Sequence, residues 1–228
     1  MGKRVYFDDR RDAGRQLALK LSAYAGARPL VLGLPRGGVP VAYEVARALS
    51  APLDVFVVRK LGVPDNEELA MGAVASGGAL VVNDEVVERF GIPAEVVARA
   101  AEVERGEVER RERAFRGGRP MPDLRRRTVL LVDDGLATGA TMRAAVSALR
   151  KMKPARLVVA VPISDPDVCD EFRHLADDAV CAVTPEPLFS VGLWYRDFTQ
   201  TGDDEVRELL ARAALEREGA VPPGATPS

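Results

Sequence analysis

Cysteine, histidine and aromatic residues are all scarce in this chain of 228 residues. There are two cysteines, Cys169 and Cys181, and one histidine, His174, and aromatic residues make up 5% of the sequence. His174 falls in a charged helical stretch, which predicts a surface position and argues against a metal cluster built on it. The two cysteines fall in separate predicted elements, so we expect free thiols rather than a disulfide.

Long apolar runs and an excess of either charge are also missing. No apolar run reaches the length that a membrane-spanning helix needs, and the start, Met1-Gly-Lys-Arg-Val, lacks the apolar core of a signal peptide. The formal net charge is −2, which gives no electrostatic basis for nucleic-acid binding. We therefore expect a cytoplasmic protein that binds neither membrane nor nucleic acid.

The most informative stretch that is present runs from Val129 to Thr141 and reads Val-Leu-Leu-Val-Asp-Asp-Gly-Leu-Ala-Thr-Gly-Ala-Thr. Its apolar start predicts a strand buried on both faces. The residues that follow it predict a helix with an apolar face of Met142, Val146, Leu149 and Met152. The loop between them matches neither the Gly-x-x-x-x-Gly-Lys-[Ser/Thr] of a P-loop nor a Rossmann Gly-x-Gly-x-x-Gly.

The order of strand, acidic pair, small-residue loop and helix has a chemical meaning. A helix N-terminus and the N–H groups of a glycine-containing loop attract an anion such as phosphate. Asp133 and Asp134 at the strand end could accept hydrogen bonds from hydroxyls, directly or through Mg²⁺. A ribose 5-phosphate carries both groups. The alternative is an ordinary turn capped by Thr138.

This stretch resembles the signature with which type I phosphoribosyltransferases bind phosphoribosyl pyrophosphate (PRPP). The resemblance implies that Asp133 and Asp134 act on the ribose and on Mg²⁺, directly or through water or the ribose hydroxyls. It implies that the loop binds the 5-phosphate through Ala137, Thr138, Gly139, Ala140 and Thr141. The chain also shares Leu-Pro-Arg-Gly-Gly-Val-Pro and Val-Arg-Lys-Leu-Gly with a group of predicted phosphoribosyltransferases.

A second unit of strand, glycine loop and helix lies earlier in the chain. The strand Leu30–Leu34 runs into Pro35-Arg-Gly-Gly-Val-Pro40, and a helix is predicted over 41–49. Arg36 supplies a fixed positive charge suited to phosphate oxygens. The resemblance implies that Arg36, Gly37 and Gly38 bind pyrophosphate and that a cis peptide lies at Pro35–Arg36 or Arg36–Gly37. A plain turn is the alternative.

Two cations follow the next predicted strand, 53–58. The resemblance implies that Arg59 and Lys60 bind pyrophosphate, with Lys60 balancing charge on the leaving group; a solvated strand end is the alternative. Residues 61–68 are predicted to form a polar, turn-rich loop, and the resemblance implies that a mobile loop closes over PRPP at this position. A hairpin is predicted over 69–83, with strands 70–75 and 79–82 around a turn at Ser76-Gly-Gly78. Helices are predicted over 84–90 and 93–116.

The segment 185–198 holds a group of aromatics and the only tryptophan. By resemblance it forms the pocket of the acceptor base, for which the candidates are Val191, Trp194, Asp197 and Phe198. The alternative is that these aromatics only pack the surrounding segment against the core. Further strands are predicted over 157–161 and 179–183, and helices over 8–25, 167–175 and 203–216.

Together these elements predict an α/β fold with an open parallel sheet of about five strands flanked by helices. All candidate loops follow strand ends, where open α/β sheets bind ligands. We expect one domain over 1–218, with a hood made of residues 62–127 and 184–216, and a disordered tail over 219–228. The resemblance also implies a homodimer.

The predicted activity is transfer of phosphoribosyl from Mg-PRPP to a nitrogen of a nucleobase or small amine, with release of pyrophosphate. The resemblance assigns catalysis to Asp133, Asp134, Lys60 and Arg36. Ala137 occupies a position where hypoxanthine-guanine enzymes carry an aspartate, which disfavours a 6-oxopurine acceptor. Two other functions stay open: a PRPP- or nucleotide-sensing regulator on the same fold, and another enzyme of PRPP or sugar phosphates, such as a hydrolase.

Overall fold

A computed structural model describes residues 6–64 and 66–220. Its helices and strands follow one another as α1 (Arg10–Lys20), β1 (Leu30–Gly33), α2 (Gly38–Ala48), β2 (Leu53–Val55), β3 (Val58–Val63), β4 (Asn66–Ala75), β5 (Ala79–Val82), α3 (Asp84–Arg89), α4 (Ala94–Arg116), β6 (Thr128–Val132), α5 (Ala140–Lys151), β7 (Arg156–Ile163), α6 (Pro166–Leu175), β8 (Asp178–Val183) and α7 (Asp203–Ala220). Short 3₁₀ turns lie at Ser22–Ala27, Ser76–Gly78 and Val191–Trp194.

Five parallel strands form the central sheet, in the order β2-β1-β6-β7-β8. Residues 129–132 and 157–161 are inaccessible to solvent, as expected of strands covered on both faces. One face packs against α1 and α2, and the other packs against α5 and α6. The predicted α/β fold with a five-stranded parallel sheet is confirmed. All five strands direct their carboxyl ends to one edge, which is where the candidate loops lie.

The stretch from Leu53 to Val63 supplies two strands rather than the one predicted over 53–58. The first, β2, ends at Val55, and the chain then crosses to β3 of a separate antiparallel sheet ordered β3-β4-β5. Phe56 and Val57 are buried at this crossing, and Val57 donates its N–H to the Ser76 hydroxyl at 2.8 Å. An apolar run does not reveal which sheet each residue joins, so the prediction placed the strand end too late.

The same antiparallel sheet corrects the prediction of a mobile loop over 61–68. Residues 58–63 and 66–75 pair as the two arms of a hairpin, with a register shift near Gly62. The polar residues in this stretch suggested a loop, but strand pairing across a short turn satisfies their backbone groups instead. The predicted hairpin over 69–83 is present, and its first arm begins earlier, at Asn66.

The helices lie close to their predictions, with differences at the ends. Helix α2 begins at Gly38 instead of 41, because Pro40 is compatible with the first turn of a helix, where its missing N–H is not needed. Helix α1 ends at Lys20 and a 3₁₀ turn continues from Ser22. Helix α7 continues to Ala220, which corrects the predicted tail at 219–220. Residues 221–228 lie outside the described part of the chain.

Cys169 and Cys181 form a disulfide, so the prediction of free thiols is wrong. Cys169 lies on the buried face of α6, and Cys181 lies on β8, the strand that follows it. Helix α6 packs directly against β8, which brings the two Cα atoms to 6.5 Å, within the range that a disulfide spans. Elements that are separate in the sequence can be neighbours in the fold. The prediction had no information on the packing of α6 against β8.

Across residues 6–64 and 66–220, no helix combines the length and the apolar character needed to cross a membrane.

Candidate functional site

The acidic pair follows β6 directly, at the carboxyl edge of the sheet. Asp133 and Asp134 are both half-buried, and Oδ1 of Asp133 accepts the N–H of Asp134 at 2.9 Å. Burial, together with the neighbouring Asp134 carboxylate, raises the pKa of Asp133 well above its ordinary value. Burial also raises the pKa of Asp134. Two adjacent, largely buried carboxylates that raise one another's cost of ionisation favour a cation or a hydroxyl donor beside them.

The predicted pyrophosphate loop lies against this acidic pair. A Cβ built on Gly37 would stand 2.1 Å from Oδ2 of Asp134, and one built on Gly38 would stand 2.9 Å from the Cα of Asp133. Only glycine permits so close an approach. The Pro35–Arg36 peptide is cis, at one of the two positions that the resemblance implied. Arg36 is partly exposed, and its NH1 lies 3.7 Å from Oδ1 of Asp203.

The predicted phosphate loop follows the acidic pair and leads into α5. Gly139 is the residue before the helix and has a left-handed backbone, with φ of 71°. Within the described chain, no side chain caps this helix start. The loop residues 137, 138, 140 and 141 are exposed, whereas Gly139 is buried against Phe172. The first N–H groups of α5 thus lie beside an open loop, which suits an anion.

Arg59 and Lys60 lie in β3 and are engaged elsewhere. Nε of Arg59 donates to Oε2 of Glu104 on α4 at 2.7 Å, and Lys60 is exposed. Both residues line a cavity of about 690 Å³ between β3 and α4, and neither Asp133 nor Asp134 is among its described lining residues. Arg59 and Lys60 therefore have no described contact with the acidic pair, whereas Gly37 and Gly38 lie directly against it.

The four candidate residues of the base pocket have different surroundings. Val191 packs against Gly135, next to the acidic pair, and Phe198 lies under the guanidinium of Arg10. The Trp194 ring packs on Tyr6 instead, with 4.9 Å between ring centroids. The Asp197 carboxylate accepts hydrogen bonds from the N–H and hydroxyl of Thr199, which lower its pKa. Val191 and Phe198 thus contact residues next to the acidic pair, namely Gly135 and Arg10.

Two residues that the sequence analysis missed contact Asp134. Nε of Arg10 donates to Oδ2 of Asp134 at 2.8 Å, and the Tyr195 hydroxyl donates to the Asp134 carbonyl at 2.6 Å. Burial and the Asp134 carboxylate raise the pKa of Tyr195. These contacts join positions 124 and 61 residues apart in the chain. No local motif marks either residue, so only the fold reveals them.

A magnesium ion is compatible with the acidic pair only as part of a larger set of ligands. In the described part of the chain, no group of three or more His, Cys, Asp or Glu residues could hold a metal ion. Mg²⁺ commonly binds one or two carboxylates and completes its coordination with water and substrate phosphate. Asp133 and Asp134 fit an ion that shares its ligands with a bound substrate.

Comparisons with known proteins agree with this geometry. Residues 8–184 match the family described as phosphoribosyl transferase domain. Two Mycobacterium tuberculosis proteins named "Putative phosphoribosyl transferase", from strains H37Rv and CDC 1551, are 48% identical over 223 residues. That alignment covers 97% of this chain and 50% of each relative, so the chain spans about half the length of the curated relatives it matches.

A solved structure is similar over nearly its whole length. The crystal structure of TT1426 from Thermus thermophilus is 41% identical and superposes with a TM-score of 0.81. The match covers 90% of this chain and 98% of that chain. The family match extends over the acidic pair, the glycine loop and the five core strands. The chain therefore belongs to the type I phosphoribosyltransferase family.

Proposed function

We propose that this protein transfers the phosphoribosyl group of Mg-PRPP to a nitrogen nucleophile and releases pyrophosphate. The observation that carries this proposal is the close packing of the acidic pair on the glycine loop. Gly37 and Gly38 lie against Asp133 and Asp134. The loop that carries these two acids leads into the uncapped start of α5. Groups suited to pyrophosphate, ribose hydroxyls and 5-phosphate thus meet at one sheet edge.

Each part of the site has a role under this proposal. Asp133 and Asp134 accept hydrogen bonds from the ribose hydroxyls and hold Mg²⁺, which neutralises pyrophosphate charge when it is bound. Residues 137–141 bind the 5-phosphate through the loop N–H groups and the start of α5. Arg36 and the N–H group of Gly37 bind the pyrophosphate. Gly38 donates its N–H to the Leu34 carbonyl at 3.0 Å, and its role is to let the loop lie close to the acidic pair. Positioning and charge stabilisation then favour a transition state with positive charge on the sugar ring.

The pyrophosphate role of Arg59 and Lys60 requires a rearrangement. Arg59 would have to leave Glu104, which binds its Nε at 2.7 Å. Lys60 is exposed on β3 and could move without breaking a buried contact. We propose that these two cations contact pyrophosphate only when substrate is bound.

The acceptor is proposed to be a nucleobase or small amine that enters beside Val191 and Phe198. Ala137 is exposed and has no acid group, which disfavours a 6-oxopurine. Trp194 and Asp197 would contact the acceptor only after leaving Tyr6 and Thr199.

A homodimer is also proposed, and sedimentation velocity would measure the oligomeric state directly.

Phosphorus NMR of Mg-PRPP tests the transfer reaction. The protein is incubated with a pool of nucleobases and small amines, beside a sample without acceptors, the Asp134→Asn variant and a matched Asp170→Asn control. Asp170 is an exposed acid on α6 that pairs with Arg173 on the same helix. We expect pyrophosphate release that requires both the pool and Asp134, with Asp170→Asn as active as the parent.

Each other outcome has a distinct meaning. Release without any acceptor would indicate a hydrolase. Broadening of the PRPP signals without turnover would favour a sensor or an acceptor outside the pool. Equal turnover in the parent and Asp134→Asn would contradict the assignment of Asp134.

A further inference from the structure

We propose that Arg10 is a positioning residue that sets the carboxylate of Asp134 for ligand binding. This inference rests on the proposed function, because it concerns the same acidic pair. Arg10 is the first residue of α1, and its side chain meets Asp134 across a separation of 124 residues. The side chains of Arg10 and Asp134 are only 11% and 17% exposed, so the contact is well protected from water.

Three contacts fix the guanidinium of Arg10. Its Nε donates to Oδ2 of Asp134 at 2.8 Å, and its NH1 donates to the Thr199 carbonyl at 2.7 Å. Its central carbon lies 3.9 Å from the centroid of the Phe198 ring. A planar group held by two directional donors and one ring face has little freedom to turn. Arg10 can therefore fix the orientation of Asp134 better than a flexible surface cation.

Arg10 also lies next to the pyrophosphate loop. The Cβ position of Gly37 is 3.2 Å from Nε of Arg10 and 2.1 Å from Oδ2 of Asp134. The loop, the cation and the carboxylate oxygen thus meet at one point. Movement of Arg10 would disturb the acidic pair and the loop together, which a purely structural ion pair elsewhere would not do.

The charge of Arg10 has a clear consequence for ligand binding. Asp133 and Asp134 repel one another in a largely buried site, and a close guanidinium offsets part of this repulsion. Arg10 engages Oδ2 of Asp134 and thereby fixes the orientation of the carboxylate that a ribose hydroxyl or a cation would meet. Partners that orient ligating carboxylates in this way affect binding by about 10–100-fold when they are removed.

The test uses Arg10→Gln, Arg10→Lys and a matched control, Arg15→Gln. Arg15 lies on the same helix, is half-exposed and pairs only with Asp12 among the described ion pairs. Calorimetry measures binding of Mg-PRPP, and crystal structures of the ligand-free variants locate the Asp134 side chain. Kinetics then separate KM from kcat where turnover is present.

We expect Arg10→Gln to displace the Asp134 carboxylate and weaken Mg-PRPP binding by about 10–100-fold. Arg10→Lys should recover part of the loss because it keeps the charge without the planar fork, and Arg15→Gln should match the parent. An unmoved Asp134 in Arg10→Gln together with parental binding would overturn the inference. If the parent itself binds no Mg-PRPP, the proposed function fails, and the crystal structures alone decide whether Arg10 positions Asp134.

Discussion

The two acids after β6 are unfavourable neighbours as long as no ligand lies between them. Burial and Asp134 raise the pKa of Asp133, so the folded protein favours the protonated form of Asp133 more than the unfolded chain does. The contribution of Asp133 to stability should therefore fall as the pH rises from about 4, where unfolded aspartate ionises. Asp133→Asn should stabilise the ligand-free protein at pH 7 and lose this advantage below about pH 4.

Urea unfolding of the parent and Asp133→Asn at several pH values measures this difference. The asparagine keeps the size of the side chain and its Oδ1 acceptor, removes the charge and places an NH₂ donor where the second oxygen was. Asp170→Asn, with its exposed carboxylate, serves as the control and should show a much smaller change. A pH-independent difference between the parent and Asp133→Asn would contradict the prediction.

Gly37→Ala tests how closely the loop must approach the acidic pair. The added methyl group would stand 2.1 Å from Oδ2 of Asp134, so the loop or the carboxylate has to move. A displacement of about 1 Å at such a site can lower kcat/KM by about 100-fold. Gly26→Ala is the matched control, because its Cβ would meet nothing within 4 Å. Equal losses in both variants, measured as pyrophosphate release, would argue against a specific steric role.

Site residues could be predicted from the sequence where they are neighbours both along the chain and in the folded site. Asp133, Asp134 and the loop residues up to Thr141 belong to one continuous motif, and Gly37 and Gly38 to another. Arg10 and Tyr195 reach Asp134 from remote segments. Their contacts depend on how α1 and the 185–198 segment fold back on the sheet edge, which no short pattern encodes.

At the scale of elements, α6 packs against the phosphate loop. The Phe172 ring would meet a Cβ on Gly139 at 2.8 Å. Glu171 binds Arg143 through two hydrogen bonds, and Arg143 donates to the Thr138 carbonyl at 2.6 Å. Helix α6 is in turn tied to β8 by the disulfide. The loop that is proposed to bind the 5-phosphate therefore rests on a cross-linked helix and strand.

Removal of this disulfide should destabilise the fold. The bridge joins cysteines 12 residues apart. Closing a loop of that size lowers the entropy of the unfolded chain and so raises its free energy by about 3 kcal/mol. The Cys169→Ser/Cys181→Ser protein should therefore unfold at lower urea concentration than the oxidised parent. Parent protein treated with a reductant should approach the double variant, and the double variant should not respond to reductant. Equal midpoints for the oxidised parent and the double variant would contradict this expectation.

Strand periodicity predicted the core sheet well because its apolar runs are buried on both faces. The same reasoning failed between 53 and 68, where one apolar run is shared by two sheets and a polar stretch pairs as a hairpin. It failed again for the cysteines, whose pairing depends on α6 lying against β8. Strand pairing and disulfide pairing depend on how the elements pack together, and the local composition of the chain does not determine that packing.

At the scale of the whole molecule, α7 joins the parallel core to the antiparallel sheet and α4. Its Val206, Leu209 and Leu210 are buried in one cluster with residues from α2, α4 and β3. Helix α7 packs on both α2 and α4. Asp203, at its first turn, lies within 3.7 Å of Arg36 in the glycine loop. Helix α7 thus contacts the glycine loop as well as α2 and α4.

Leu209→Ala should reveal this connection. Leu209 is 2% exposed, and truncation of a buried leucine costs about 2–5 kcal/mol because it removes apolar contacts and leaves a cavity. Leu215→Ala, on the same helix but 68% exposed, should change stability by no more than about 0.5 kcal/mol. Urea unfolding followed by circular dichroism and by Trp194 fluorescence compares the two. Because α7 links both sheets, we expect the two signals of Leu209→Ala to shift together. A loss confined to one signal would mean that the surroundings of Trp194 unfold independently of the rest of the described molecule.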